Sequence, residues 1–467
     1  MFFGILLHHK TIYLSFMKRT TFSILLFLIC AQMMFAQESK TTQLSLQQCV
    51  QMAVKKNINV KTARIDDQKS KYKMDEGFAA LFPKINFSSS LTDNVLLPTT
   101  VIPGEFLGHA AGTMIPLQMG SRYSETTMLS VSQVLFNQTA LTAVKLLKMS
   151  SGLSGLSVEK ASEDIAFEVA KLYALEQTTA EQRKLIDKNI LLIERLRDIT
   201  KITVDNGIGK QVDLDRVNVN LENLYTQQSN TQAAQEQQLN MIKYMLEMPV
   251  DQTILLTDSA DMQLMKDEPV LQTDFSNHVT IRLLESQKDI SLLNKKIITN
   301  GYLPTLSLSG QAAYQGLQEK FGTYFKSSSD NKWYPYANFA VTLSIPVFDG
   351  FEKRSKSRQA TMDIQKAQEI LDDTKESFSM NYKNAMNNYV NNKSTVRRQK
   401  QNLELAEKVY KETTLKYKEG MAAMSSLLQD EMSLSSAQGE YLSALYNFKE
   451  AELKIMSLNG EIKNLIN

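Results

Sequence analysis

Few side chains in this sequence have a type and spacing suited to bond-making chemistry. Past an expected leader ending at Ala36, the chain keeps one cysteine, Cys49, and two histidines, His109 and His278, 169 positions apart. One histidine lies in a glycine-rich stretch and the other on a helical pattern, so neither zinc-ligand spacing nor a histidine-centred triad can be assembled. No P-loop, G-x-S-x-G or H-E-x-x-H occurs, and the chain reads as a non-enzyme with no metal and no cofactor. What it does carry is polar and acidic residues just behind two glycines. Asp213-Leu-Asp215-Arg216 follows Gly207, and Ser425-Ser426-Leu-Leu-Gln429-Asp430-Glu431 follows Gly420. On one reading Asp213 and Ser425 cap helices and the other charges are solvated. On the other, several copies bring these carboxylates around one axis, where mutual repulsion is relieved by cations or by Arg216.

The elements that must position these residues begin after an export signal. Lys18 and Arg19 precede the apolar run Phe22 to Cys30, and Ala36 stands before a polar stretch; residues 1 to 36 read as a signal peptide, with Met17 as an alternative start. Cys30 is a poor lipoprotein cysteine, because the bulky Ile29 precedes it. Cleavage removes Lys10, Lys18 and Arg19 and no acids, so 52 basic and 50 acidic residues become 49 and 50. A mean hydropathy of −0.25 rules out a bundle of membrane helices. No basic block with interleaved aromatics exists, so nucleic acid is not an expected partner. One remaining cysteine means no disulfide framework.

The chain repeats itself. Phe82-Pro83-Lys-Ile-Asn-Phe matches Leu303-Pro304-Thr-Leu-Ser-Leu at an offset of 221, Phe136-Asn137 matches Phe348-Asp349 at 212, and Gly207 matches Gly420 at 213. Each unit reads as helix, strand, loop, strand, long helix, turn, helix. The first repeat covers 37–248, with strands about 84–95 and 122–136, a long helix about 138–206 and a helix about 210–247. An inter-repeat segment covers 249–277. The second repeat covers 278–467, with strands about 305–315 and 335–348, a long helix about 351–419 and a helix about 424–458. Pro83, Pro304, Phe136, Pro346, Phe348 and Gly350 mark the junctions between strands and helices.

In the strands, Ala337, Phe339, Val341, Leu343, Ile345 and Val347 alternate with Asn338, Ala340, Thr342 and Ser344. The other three strands alternate in the same way, giving one apolar face and one face of small uncharged polar residues. From alternation alone a soluble sandwich is the commoner explanation. Three features favour a membrane. Each run has about the 9–11 residues that cross a bilayer at a tilt. Aromatics gather at the ends: Phe82, Tyr302, Phe136 and Phe348 at one, and Phe321, Tyr324, Phe325, Trp333, Tyr334 and Tyr336 at the other. The strands also lead into helices and not into further strands. Four strands cannot close a barrel, which takes about eight at least, so a spanning barrel would be shared among copies.

Between Asn137 and Asn206 there is no proline, and about 69 helical residues reach roughly 100 Å. Apolar seams such as Ile165, Val169 and Leu172, then Leu185, Leu192 and Ile199, ask for neighbouring helices. An ordinary coiled-coil dimer accounts for the seams alone; a tube of helices continuing a barrel accounts for seams and strands together. The turns at Gly207 and Gly420 would then lie farthest from the membrane.

This order of elements resembles the TolC-like outer-membrane efflux family over essentially the whole mature chain. The resemblance rests on Leu44-Ser-Leu-Gln-Gln-Cys-Val-Gln-Met-Ala53, Lys56-Asn57 leading to Leu81-Phe-Pro83, Leu303-Pro304, Ile345-Pro-Val-Phe-Asp-Gly350, and Tyr417-Lys-Glu-Gly420 running to Leu427-Leu428. It implies a mainly α fold with a small transmembrane β part: a two-repeat, long-helix α-barrel plus four strands per chain in a 12-stranded β-barrel completed by a homotrimer. It implies an equatorial layer built from about 37–56, 455–467 and 249–277, and a location in the outer membrane of a Gram-negative bacterium, with helices in the periplasm and loops 96–121 and 318–334 outside the cell. The function it implies is a passive exit duct that meets outer-membrane lipid, a periplasmic adaptor and an inner-membrane transporter in a tripartite system exporting small molecules. Gly207 and Gly420 become the candidate adaptor-docking turns. The family's aperture acids align with Ser426 and Gln429, which are not acidic, leaving Asp430, or Asp213 and Asp215 with Arg216, as replacements. The alternatives are the exit duct of a type I protein secretion system and, in another class, a non-pore periplasmic coiled coil.

Overall fold

The computed structural model describes residues 41–261, 264–265, 268–269, 272, 274–321 and 333–466. The expected signal peptide, Tyr324 and Phe325 lie outside the described residues. In chain order the elements are β1 (Thr42–Leu44), α1 (Leu46–Lys56), α2 (Ile58–Ala79), β2 (Lys84–Asp93), β3 (Thr99–Pro103), β4 (Met114–Gln118), β5 (Tyr123–Phe136), α3 (Gln138–Asp205), α4 (Gln211–Met245), β6 (Ile254–Leu256), α5 (Val279–Asn300), β7 (Thr305–Gln318), β8 (Trp333–Ser344), α6 (Glu352–Lys418) and α7 (Met424–Leu458). The fold is mainly α with a small β part. Two compact units divide the chain: one from Met1–Lys61, Lys160–His278 and Ser377–Asn467, the other from Thr62–Glu159 and Val279–Glu376.

The second unit is organised by a four-stranded antiparallel sheet in the order β2-β5-β7-β8. Residues opposite one another in a ladder share a face, and the register lines up the alternation across all four strands. One row reads Ile85, Val131, Gly310, Phe339 and the next Phe87, Leu129, Ala312, Ala337. Between them, on the other face, lies Asn86, Ser130, Gln311, Asn338. The apolar face is uncovered: Ile85, Phe87, Phe339, Val341 and Leu343 are all exposed. Gly310 makes room for the Phe339 ring, which comes within 2.6 Å of where a Cβ would stand.

Strand β8 stops short of the run expected to reach Phe348. It ends at Ser344 because Pro346 has no N–H to give a ladder. The expected outer loop 96–121 holds a small hairpin, β3 against β4, which the mixed sequence of Pro, Thr and apolar residues did not announce.

Helical cores organise the described residues of the first unit. In α1 the buried residues Leu46, Cys49, Val50, Ala53 and Val54 fall on one helical stripe. A capping box starts that helix, with Gln48 N–H donating to Ser45 Oγ at 3.3 Å and Ser45 N–H donating to Gln48 Oε1 at 2.9 Å. Its stripe packs on Ile165, Val169 and Tyr173 of α3, Ile242 and Leu246 of α4, Ile254 of β6 and Leu453 of α7. Strand β1 pairs in parallel with β6 beside this core. Burial pushes the Cys49 thiol up to about 12, with Asp258 adding to it, so this cysteine is an inert packing residue. The second core joins Ile186, Ile190 and Ile193 of α3, Val217, Leu221 and Leu224 of α4, and Met424 and Leu428 of α7.

Candidate functional site

Both helix turns end in the same hydrogen-bonded stop. Gly207 and Gly420 each have φ of 76°, a backbone state that side chains with a Cβ disfavour. At the first turn Ile208 N–H donates to Thr203 O at 3.0 Å and Gly207 N–H to Val204 O at 2.8 Å. At the second, Met421 N–H donates to Lys416 O at 2.8 Å and Gly420 N–H to Tyr417 O at 3.0 Å. This is the Schellman arrangement, which satisfies the last helical carbonyls. It also turns one large apolar side chain outward at each stop: Ile208 is 82% exposed and Met421 67%.

Behind the turns, the acids do not cap. The N-cap positions are Lys210 for α4 and Ala423 for α7, neither with a side-chain cap bond. Asp213 sits in the first turn of α4 and Ser425 in the first turn of α7, because each helix begins before them. Asp213 Oδ1 accepts from Arg216 Nη1 at 3.4 Å, and Asp215 Oδ1 accepts from Gln211 Nε2 at 2.9 Å. Asp215 and Arg216 line a groove of about 380 Å³ with Val212, Val219, Asn220, Asn223, Leu428 and Met432. Ser426 and Gln429 are exposed on α7 and Asp430 is half-buried; none of the three lines that groove.

Two further residues meet here that residue spacing had not singled out as a pair. Asn220 Nδ2 donates to Glu431 Oε2 at 2.9 Å. Glu431 is buried, and burial raises its carboxyl above the usual range while the Asn220 bond opposes the rise. A signal existed: Met424, Leu427, Leu428, Glu431, Leu434 and Gln438 are all buried on α7 at helical spacing, so Glu431 occupies a seam position.

The strand-to-helix junctions are built on matched caps. Asn137 Oδ1 accepts from Ala140 N–H at 3.0 Å ahead of α3. Asp349 Oδ2 accepts from Lys353 N–H at 3.2 Å and Lys353 Nζ at 3.1 Å ahead of α6. The Lys353 bonds hold the Asp349 carboxyl below its usual range. Gly350 and Phe351 both adopt left-handed φ, 64° and 66°, and the Phe348 and Phe351 rings meet edge to face at 5.5 Å. A non-glycine residue there costs about 1–2 kcal/mol. Pro83 and Pro304 stand immediately before β2 and β7, and Phe136 ends β5. Gln133 Nε2 donates to Leu81 O at 2.7 Å, tying the end of β5 to the segment after α2, and Asn300 Nδ2 donates to Thr142 Oγ1 at 2.7 Å, tying the end of α5 to the start of α3.

The described strands thus form a sheet with one uncovered apolar face and one polar face, and a very long helix follows each of β5 and β8 in the chain. Residues 294–461 match the sequence profile described as outer membrane efflux protein. Over that stretch the chain is similar to the outer membrane efflux protein family. Solved structures extend the fold to the rest. The open-state outer-membrane channel MtrE of Neisseria gonorrhoeae is 18% identical with a TM-score of 0.72, covering 89% of this chain and 88% of that one. VceC, an outer membrane protein of Vibrio cholerae, is 13% identical with a TM-score of 0.69, covering 89% and 96%. CmeC, an outer membrane channel of Campylobacter jejuni, is 15% identical with a TM-score of 0.67, covering 89% and 85%. No curated protein sequence matches the chain.

Proposed function

We propose that three copies of this chain form the outer-membrane exit duct of a tripartite system that exports small molecules. The observation that carries this reading is the open sheet. Among the described residues, strands β2 and β8 each have only one neighbour, and unpaired strand edges are not tolerated in lipid. Four strands need partners from other copies, and three copies supply twelve, enough for a closed barrel. The apolar face then meets lipid, and the row Asn86, Ser130, Gln311 and Asn338 faces a wet interior. The long helices extend into the periplasm, where the turns at Gly207 and Gly420 present Ile208 and Met421 to an adaptor, and an inner-membrane transporter supplies the energy.

Membrane fractionation, detergent extraction and unheated gel migration test the assembly, with conductance in planar bilayers testing the pore. A trimer that conducts is expected; a soluble monomer would overturn the reading. Gly420→Val tests the docking turn. Open space surrounds Gly420, so the cost is backbone strain of about 1–2 kcal/mol, confined to the turn. Export in cells is expected to fall strongly while the trimer still forms, and unaltered export would remove the turn from the docking surface.

A further inference from the structure

Glu431 is 3% exposed. One of its oxygens accepts from Asn220, but the other, Oε1, is buried without a hydrogen-bond partner. Among the described residues, the ionisable groups around it supply no countercharge. On α4, Arg216 lies one turn before Asn220 but pairs with Asp213, and Asp215 accepts from Gln211. On α6, the Tyr410 hydroxyl feels the Glu431 charge. On α7, the neighbour is Asp430. On α3, the helix that completes this core, Glu194 is bound to Tyr225 at 2.6 Å. A buried carboxylate with no cation and one bare oxygen is far costlier than the neutral acid, which keeps its bond from Asn220.

We infer that Glu431 is a proton-operated latch between α4 and α7: protonated, it holds the two helices together behind the Gly420 turn, and on losing its proton it drives them apart. The inference rests on the channel reading above, in which these helix ends form the periplasmic entrance. The separated state admits water to Glu431 and so favours the ionised form. Because burial raises the carboxyl pKa, the closed state binds the proton more tightly than the open one. Closure is therefore complete at low pH and weakens as pH rises from the ordinary carboxylate range through the raised value.

The same seam of α7 holds the natural control. Seven residues on, Gln438 Oε1 accepts from Asn189 Nδ2 at 2.9 Å, and both residues are buried. Glu431→Gln recreates that amide pair with Asn220 and is permanently neutral. The full-length protein in planar bilayers is expected to open more at about pH 8 than at about pH 5, by up to about tenfold for each tenfold difference in proton affinity between the two states. Glu431→Gln should remain at the low-pH level throughout. Independently of any pore, the pair Asn223→Cys with Met432→Cys spans the α4–α7 groove, and native Cys49 is fully buried. Its cross-linking should be faster at low pH, and adding Glu431→Gln should abolish the difference. Conductance and cross-linking that ignore pH, or a Glu431→Gln profile identical to wild type, would overturn the latch. Absence of conductance at every pH would count against the channel reading, and the cross-linking rate would then decide the latch alone.

Discussion

Lysine in place of Phe339 is expected to stop the protein from entering the outer membrane, while lysine in place of the adjacent Asn338 leaves insertion intact. The two residues are neighbours in β8 and point to opposite faces of the sheet. Phe339 stands in the apolar row with Ile85, Val131 and Gly310; Asn338 stands in the polar row with Asn86, Ser130 and Gln311. A lysine on the lipid face of a membrane barrel costs about 2–4 kcal/mol near the midplane. Phe339→Lys also removes the ring that covers Gly310. In the proposed trimer the penalty is incurred in every subunit. On the polar face the ammonium stays hydrated, so Asn338→Lys should alter ion selectivity and not assembly. Outer-membrane fractionation of both variants checks the pair: equal insertion would mean that the sheet faces have been assigned the wrong surroundings.

Asp258→Ala is expected to lower the stability of the first unit by about 2–3 kcal/mol, because it takes the charged acceptor from the buried Leu46 N–H and leaves the Tyr173 hydroxyl only the longer bond to Leu44 O at 3.2 Å. Asp258 Oδ2 accepts from Leu46 N–H at 2.7 Å and from the Tyr173 hydroxyl at 2.9 Å. Leu46 opens α1, Tyr173 lies on α3, and Asp258 follows β6, so one carboxylate joins three parts of the chain. Burial keeps the Tyr173 phenol above its usual range, which maintains it as a donor. Tyr173→Phe removes one donor and leaves the Leu46 bond, and should cost about 1 kcal/mol. Thermal unfolding in detergent, followed by helical signal, checks both; equal effects would show that the hydroxyl and not the carboxylate carries the joint.

Local chemistry in the sequence went far toward this fold. Period-2 runs around Ile85, Leu129, Leu308 and Val341 named the strands and their faces, and the Phe-Asn and Phe-Asp pairs at 136–137 and 348–349 marked where strand gives way to helix. Glycine marked both turns because only a residue without Cβ takes φ of 76° without strain. Other local signals misled. Asp213 and Ser425 looked like caps, yet the helices begin at Gln211 and Met424, since the chain leaves each turn with Lys210 and Ala423 already extended. The alternation past Ser344 looked like more strand, but Pro346 ended the ladder.

What the sequence determined by itself is whatever depends on near neighbours: the two faces of each strand, the long unbroken helices, the turns and the duplicated order of elements. What only the tertiary structure decided is which distant groups meet. Register across β2, β5, β7 and β8 aligns the apolar rows into one continuous face, and no single strand specifies that alignment. Asn220 and Glu431 are 211 residues apart, and Asn189 and Gln438 are 249 apart. Read along the chain, all four are ordinary polar residues on wet helices. Only helix packing removes them from water, and removal from water is what turns a carboxylate into a group whose charge state matters.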